Sequence, residues 1–243
     1  MAKKKRKSSR PRINKPIRSA KKQSATAKTA GRAAKSKKAV IAARRPARVP
    51  APKKVVSIGA QIVALEKSIL KSKEKLVALR RTAAPVEIAN YTFKAHDGSE
   101  VRLSEMFGAR RELIMVHNMG KQCRWCTLWA DGFVGLTKHL ENRAAFVVVS
   151  KDDVETQRAF YQSRGWNFRM YSSFGTTFNR DVHFESDDGH QMPGVSAFFK
   201  DESGKIFRAA YTYFGPGDDF CAVWPMLDLL RDGPSGWEPQ YQY

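Results

Sequence analysis

Apolar positions in residues 57–82 fall on one side of a helical repeat. Ile58, Ile62, Leu65, Ile69, Leu76 and Leu79 recur near helical spacing, with Val63 and Val77 beside them. Ser57 stands where an N-cap is needed, and Pro85 lies just past the end. The pattern predicts an amphipathic helix of about seven turns. Its heptads are irregular, so it reads as a brace packed on the following domain before it reads as a short coiled coil. After residue 85 the period changes. Tyr91-Thr92-Phe93 and Val101–Ser104 read as paired strands around a turn at Asp97-Gly98, with a helical turn at 104–107. Glu112–His117 and Ala144–Ser150 read as buried strands, and 168–173 as another. Residues 126–141, 152–164 and 220–230 suit helices, the second marked at its start by Asp152 and Asp153. Ser196–Phe199 and Lys205–Tyr213 form a late hairpin around Asp201-Glu202-Ser203-Gly204. Strands alternating with helices before a hairpin predict a three-layer α/β domain with a mixed central sheet.

Residues 1–54 show neither period. They hold 13 Lys and 8 Arg, no Asp or Glu, no aromatic residue, and prolines at 11, 16, 46, 50 and 52. This segment alone therefore carries +21, equal to the net charge of the whole chain. Too little apolar surface is available to offset ordering entropy of about 1–2 kcal/mol per residue, so the segment is expected to be disordered. Three regions follow: a basic tail at 1–54, an amphipathic helix at 55–84 and the domain at 85–243. The tail's expected partner is nucleic acid or another polyanion. Lys3, Lys4, Lys5, Arg6, Lys7, Lys21, Lys22, Lys37, Lys38, Arg44 and Arg45 are its candidate phosphate contacts. The run Lys3–Lys7 would also serve as a nuclear signal. No apolar segment is long enough for a membrane span, and no secretory signal is evident. An intracellular, cytoplasmic location is expected, with association to a nucleoid or nucleus through the tail.

The chemistry sits after the first central strand, at Cys123-Arg124-Trp125-Cys126. Two cysteines at i and i+3 of a helix N-terminus can approach within disulfide range. The helix terminus and Arg124 supply positive charge that favours a thiolate on Cys123, the nucleophile, with Cys126 as resolving thiol. No organic cofactor is needed. A zinc site is disfavoured because no second CxxC exists, and a c-type haem because residue 127 is Thr. A peroxiredoxin-type peroxidatic site is disfavoured too: Gly120 stands three before Cys123, and no Pro lies between 86 and 192.

The order strand, Gly120 turn, CxxC, helix, strand, helix, hairpin resembles the thioredoxin-like fold. In that fold a cis-Pro precedes the strand facing the dithiol, and Met192-Pro193-Gly194-Val195 looks similar, which makes Pro193 a candidate. Residues about 60–232 resemble the thioredoxin-like family catalogued as domain of unknown function 899, whose members are labelled dithiol-disulfide oxidoreductases. The segments that carry the resemblance are GSEVRLSEMFGARRELIMVHNM, CRWCTLWADGF, SSFGTTFNRDVHFE and PGVSAFFKDESGKIFRAAYTYF. The resemblance implies a thioredoxin-like fold preceded by the helix. The dipeptide between the cysteines departs from the small residues expected there, and Trp125 would shape partner binding. The basic tail lies outside it.

His117 ends the strand that leads into the dithiol, where it would tune thiol protonation, or serve simply as a hydrogen-bonded strand-end residue. Trp129, Phe174, Phe178, Phe198 and Phe199 are expected in the core, Cys221 as a buried thiol, and Asp187-Asp188-Gly189 as a turn. Tyr211 and Tyr213 would line a groove near the site or simply be buried. The leading function is thiol-disulfide oxidoreduction on a protein or small-molecule substrate, localised by the tail. The alternative is a nucleic-acid-associated protein whose domain is a non-catalytic interaction module.

Overall fold

Ser57 accepts the Ala60 N–H at 3.3 Å and starts the first helix, α1, at Ile58–Thr82. The structure is a computed structural model that describes residues 56–243. The tail residues named above, Lys3 to Arg45, lie outside the described residues. None of the α1 residues is buried, so the helix does not brace a core. Only its C-terminal part approaches the sheet, where Val77, Arg80 and Arg81 face Phe199 and Ala210 across an open groove.

The chain then lays down β1 (Val86–Ile88), β2 (Thr92–Lys94), β3 (Glu100–Arg102), α2 (Leu103–Met106) and β4 (Glu112–Asn118). Next come α3 (Arg124–Phe133), α4 (Thr137–Arg143), β5 (Ala145–Ser150), α5 (Val154–Arg164) and β6 (Arg169–Ser172). The remainder forms α6 (Phe178–Asp181), β7 (Gly194–Lys200), β8 (Ile206–Tyr213) and α7 (Val223–Asp228). The strands make one mixed sheet in the order β1-β8-β7-β4-β5-β6-β2-β3. Strands β4, β5 and β6 run parallel, and β7 and β8 close the centre antiparallel. A βαβ unit followed by an antiparallel hairpin and a closing helix is the thioredoxin-like arrangement.

Central strands are buried on both faces, so they read as continuous apolar runs. Leu113, Met115, Val147 and Val149 point to one side, where Phe93, Phe107, Phe178 and Phe184 pack around α2 and α6. Val116, Phe146 and Val148 point to the other, against Trp129 and Phe133 of α3, Phe168 and Trp224. The sheet thus separates two cores, which makes the domain three-layered.

Local signals explain most boundaries. Asp153, not Asp152, is the N-cap of α5: its side chain accepts the Thr156 N–H. Gly165 ends that helix in the left-handed conformation at φ 64°. The single helix expected over 126–141 is two. The chain leaves α3 at Phe133 and resumes at Thr137, with Gly132 in the last turn of α3 and Gly135 in the break. Thr137 anchors the restart by donating to the Phe133 carbonyl at 2.9 Å and pairing with Asn167. The closing helix is shorter than expected, and β1 and α6 lie in segments with too few residues to show a period.

Candidate active site

The dithiol sits where β4 turns into α3. Asn118, the last residue of β4, accepts the Gly120 N–H at 2.7 Å and donates to the Cys126 carbonyl at 3.3 Å. Gly120 has φ 94°, and a Cβ there would lie 2.4 Å from an Asp152 carboxylate oxygen. Only glycine satisfies both conditions without strain. Asp152 also accepts the Lys121 N–H at 2.8 Å, tying the turn to the end of β5, and burial pushes its carboxyl pKa up.

Cys123 is the N-cap of α3, and its Sγ accepts the Cys126 N–H at 3.0 Å. It is partly exposed, while Cys126 is buried. The hydrogen bond from the Cys126 side chain lowers the Cys123 pKa to about 7, helped by the Cys126 and Trp125 amides and opposed by burial. The same contact, with burial, pushes Cys126 far above an ordinary thiol. The two thiols are therefore unequal, one with its anion favoured and the other held protonated. Both are free, as is the buried Cys221, whose pKa burial raises.

An open pocket of about 430 Å³ lies over Cys123. Gln122, Cys123, Arg124 and Trp125 line it with Met119 on one side, and Gly189, His190 and Gln191 on the other. The Gln191 side-chain oxygen is buried there without a hydrogen-bond partner. The 185–191 segment is a turn, closed by the Ser186 N–H to the His190 carbonyl, with Gly189 at φ 84°. Its root is Glu185, which is buried and held by Lys151 Nζ at 2.7 Å and 2.8 Å. A further segment crosses the same end of α3. Glu238 pairs with Arg124, Tyr241 donates to the Lys121 carbonyl at 2.8 Å, and Arg164 donates to the Tyr241 carbonyl at 2.5 Å.

Of the residues predicted from sequence, Cys123, Cys126, Arg124 and Trp125 come together here. His117 does not line the pocket. Its Nε2 pairs with Ser196 Oγ at 2.9 Å, its ring stacks on Phe184 at 3.7 Å, and its Nδ1 has no partner. Burial, reinforced by the nearby Arg208 charge, holds its pKa well below the ordinary histidine value. Strand parity carried this signal: His117 shares a face with Leu113 and Met115, opposite the face that meets α3. Pro193 does not line the pocket either, and among the described residues no peptide bond is cis. The trans form is the intrinsically favoured one for X–Pro bonds. Tyr211 and Tyr213 pack on Phe184 and do not line the pocket over Cys123.

Trp129 is core and donates to Asp218 at 3.4 Å. Asp131 is a structural acceptor for Trp166 at 2.8 Å and for Arg164. Among the described residues, no three His, Cys, Asp or Glu side chains lie close enough together to hold a metal ion. No helix among them is long and apolar enough to cross a membrane.

A family model described as "Bacterial protein of unknown function (DUF899)" matches residues 53–241. No curated protein matches the chain. Among solved structures, the chain is similar to peroxidoxin BcpB from Mycobacterium tuberculosis, at 22% identity over 50% of this chain and 80% of that one, with a TM-score of 0.42. It is similar to a peroxiredoxin-like protein from Aquifex aeolicus, at 16% identity over 55% and 77% of the two chains, with a TM-score of 0.43. It is also similar to the mitochondrial 2-Cys peroxiredoxin from Plasmodium falciparum, at 16% identity over 64% and 98%, with a TM-score of 0.43.

Proposed function

The chain belongs to the DUF899 family of bacterial proteins, and from its site we propose that it is a thiol-disulfide oxidoreductase. One observation carries the reading: Cys123 Sγ caps α3, accepts hydrogen bonds from Cys126 and faces an open pocket with its pKa lowered to about 7. The lowered pKa brings the thiolate, the reactive form, within reach at neutral pH.

The Cys123 thiolate attacks one sulfur of a substrate disulfide. The substrate S–S bond breaks, a mixed disulfide forms, and the first substrate sulfur leaves as thiolate and takes a proton from solvent. Forming the mixed disulfide removes the Cys123 thiolate, and with it the hydrogen bond and the charge repulsion that, together with burial, raise the Cys126 pKa. Cys126 then loses its proton, attacks Cys123 Sγ and expels the second substrate thiolate. Two electrons have passed to the substrate, and Cys123 and Cys126 are joined. An external dithiol returns the pair to the reduced form.

The basic segment 1–54 would hold this activity near a polyanion such as nucleic acid, through salt-sensitive contacts from Lys3–Lys7, Lys21, Lys22, Lys37, Lys38, Arg44 and Arg45. An affinity that falls steeply with salt supports this, and a salt-independent affinity refutes it.

The test of the enzyme is a redox titration of the purified chain with thiol trapping, scored by mass spectrometry. A reversible Cys123–Cys126 transition in the range of cellular dithiol couples, roughly −120 to −270 mV, is expected. Cys123→Ser should abolish turnover, and Cys126→Ser should trap the mixed disulfide. A pair that never oxidises rejects the reading and leaves the domain as a non-catalytic interaction module.

A further inference from the structure

Strand β1 is short, and its end leaves a gap at the sheet edge. It pairs with β8 only from Ile88↔Ile206 to Val86↔Arg208. The residue before it is Pro85, which has no N–H to extend the ladder, and the chain turns away to α1 through Ala84 and Ala83. From Ala209 to Tyr213 the outer edge of β8 therefore has no neighbouring strand. A cavity of about 200 Å³ lies in that gap. Arg80, from the last turn of α1, lines it together with Arg208 and Tyr211, and Ala83, Ala84 and Ala210 are among its apolar walls. No Asp or Glu lines it.

Arg208 is the unusual member. Two charged side chains are buried among the described residues, Glu185 and Arg208. Glu185 has its counter-charges, Lys151 and Arg180. Arg208 is only 6% exposed and forms no ion pair among the described residues. Its Nη1 donates to the Val182 carbonyl at 2.5 Å, and its guanidinium carbon lies 4.3 Å from the centre of the Tyr211 ring. Nε and Nη2 make no hydrogen bond among the described residues. Withdrawing a guanidinium from water is costly unless an anion replaces the lost hydration.

We propose that this cavity binds a small organic carboxylate, held by Arg208 and Arg80. A guanidinium fork can take both oxygens of a carboxylate at once. The alanine walls leave room for a compact hydrocarbon body and give it apolar surface to cover. Free phosphate is the poorer match, because its remaining oxygens would face alanine methyl groups that donate no hydrogen bond. The cavity shares no lining residue with the pocket over Cys123, so its occupancy is separable from the thiol chemistry.

The experiment is calorimetric titration of the full, reduced chain with benzoate at fixed ionic strength, with benzamide and inorganic phosphate as comparison probes. Benzoate should bind saturably, and benzamide, which has the same shape without the charge, at least about ten-fold more weakly. Arg80→Gln and Arg208→Gln should each weaken benzoate about ten-fold, since each removes a charge-assisted contact. Ala210→Leu fills the cavity and keeps both charges, and it should abolish binding. Should Arg208→Gln not fold, the half-buried Arg80 and Ala210 sites still decide the matter. Benzoate that never saturates, or that binds equally well to Arg80→Gln and Ala210→Leu, overturns the proposal. The latter result would place the anion elsewhere on the chain, where the basic segment 1–54 is the first candidate. Phosphate that binds more tightly than benzoate overturns the choice of a carboxylate.

Discussion

The Cys126 amide donates to Cys123 Sγ at 3.0 Å, so the helix that carries the second cysteine also stabilises the anion of the first. The contact is local, between i and i+3, and it makes the two thiols unequal before any substrate arrives. The hydrogen bonds that lower Cys123 to about 7 come from Cys126 and Trp125, so its reactivity depends on α3 starting where it does.

Cys123 should alkylate with an apparent pKa near 7, as iodoacetamide rates against pH would measure. Cys126→Ala removes the side-chain donor that lowers the Cys123 pKa most and should move that midpoint upward. A midpoint that stays near 7 in Cys126→Ala would assign the shift to the backbone alone.

Stability of the reduced protein should depend on pH with a definite sign. The folded Cys123 pKa of about 7 lies below the unfolded thiol value, so between the two the unfolded state binds more protons. Its contribution is complete above the unfolded pKa and is lost as pH falls through about 7. Cys126 is shifted upward and acts oppositely, losing stability once pH passes the ordinary thiol value. Melting temperatures of the reduced protein should therefore rise above pH 7 and fall again once pH passes the ordinary thiol value, and Cys123→Ser should flatten the first limb.

Gly120→Ala should destabilise the fold by about 1–3 kcal/mol, because the residue would keep a positive φ and drive its Cβ into Asp152. The same change shifts the turn that leads to Cys123. Urea melts should show the loss, and slower alkylation should accompany it.

Lys151→Met should cost about 3 kcal/mol, since it strands the buried Glu185 carboxylate with only Arg180 at 3.5 Å. Lys151→Met/Glu185→Leu should recover most of it. Equilibrium denaturation of the three proteins would test the coupling.

Glu238→Gln should release Arg124 beside Cys123. Reduction of an anionic aromatic disulfide should then accelerate about two- to five-fold, while a neutral disulfide should change little. The pair is exposed, so melting should move by less than about 1 kcal/mol.

Much of this was legible along the chain. Strand parity, N-caps at Ser57 and Asp153, and the CxxC after a buried strand depend on neighbours a few residues apart, and the elements formed accordingly. Other readings failed for equally physical reasons. The break between α3 and α4 depends on Thr137 reaching Asn167 across 30 residues. Asp152 looked like a helix start, yet its carboxylate serves the turn at Gly120 and Lys121.

The amino-acid sequence by itself determined that residues 58–82 are helical, that a mixed sheet follows and that a dithiol caps a helix, because each rests on local periodicity or capping. The tertiary structure alone decided what surrounds the dithiol. Gln191 and Glu238 reach it from sequence separations of 68 and 114 residues, the latter through Arg124. It also decided that the apolar seam of α1 faces water and not the core. Such placements follow from how distant segments pack, and no short-range pattern encodes them.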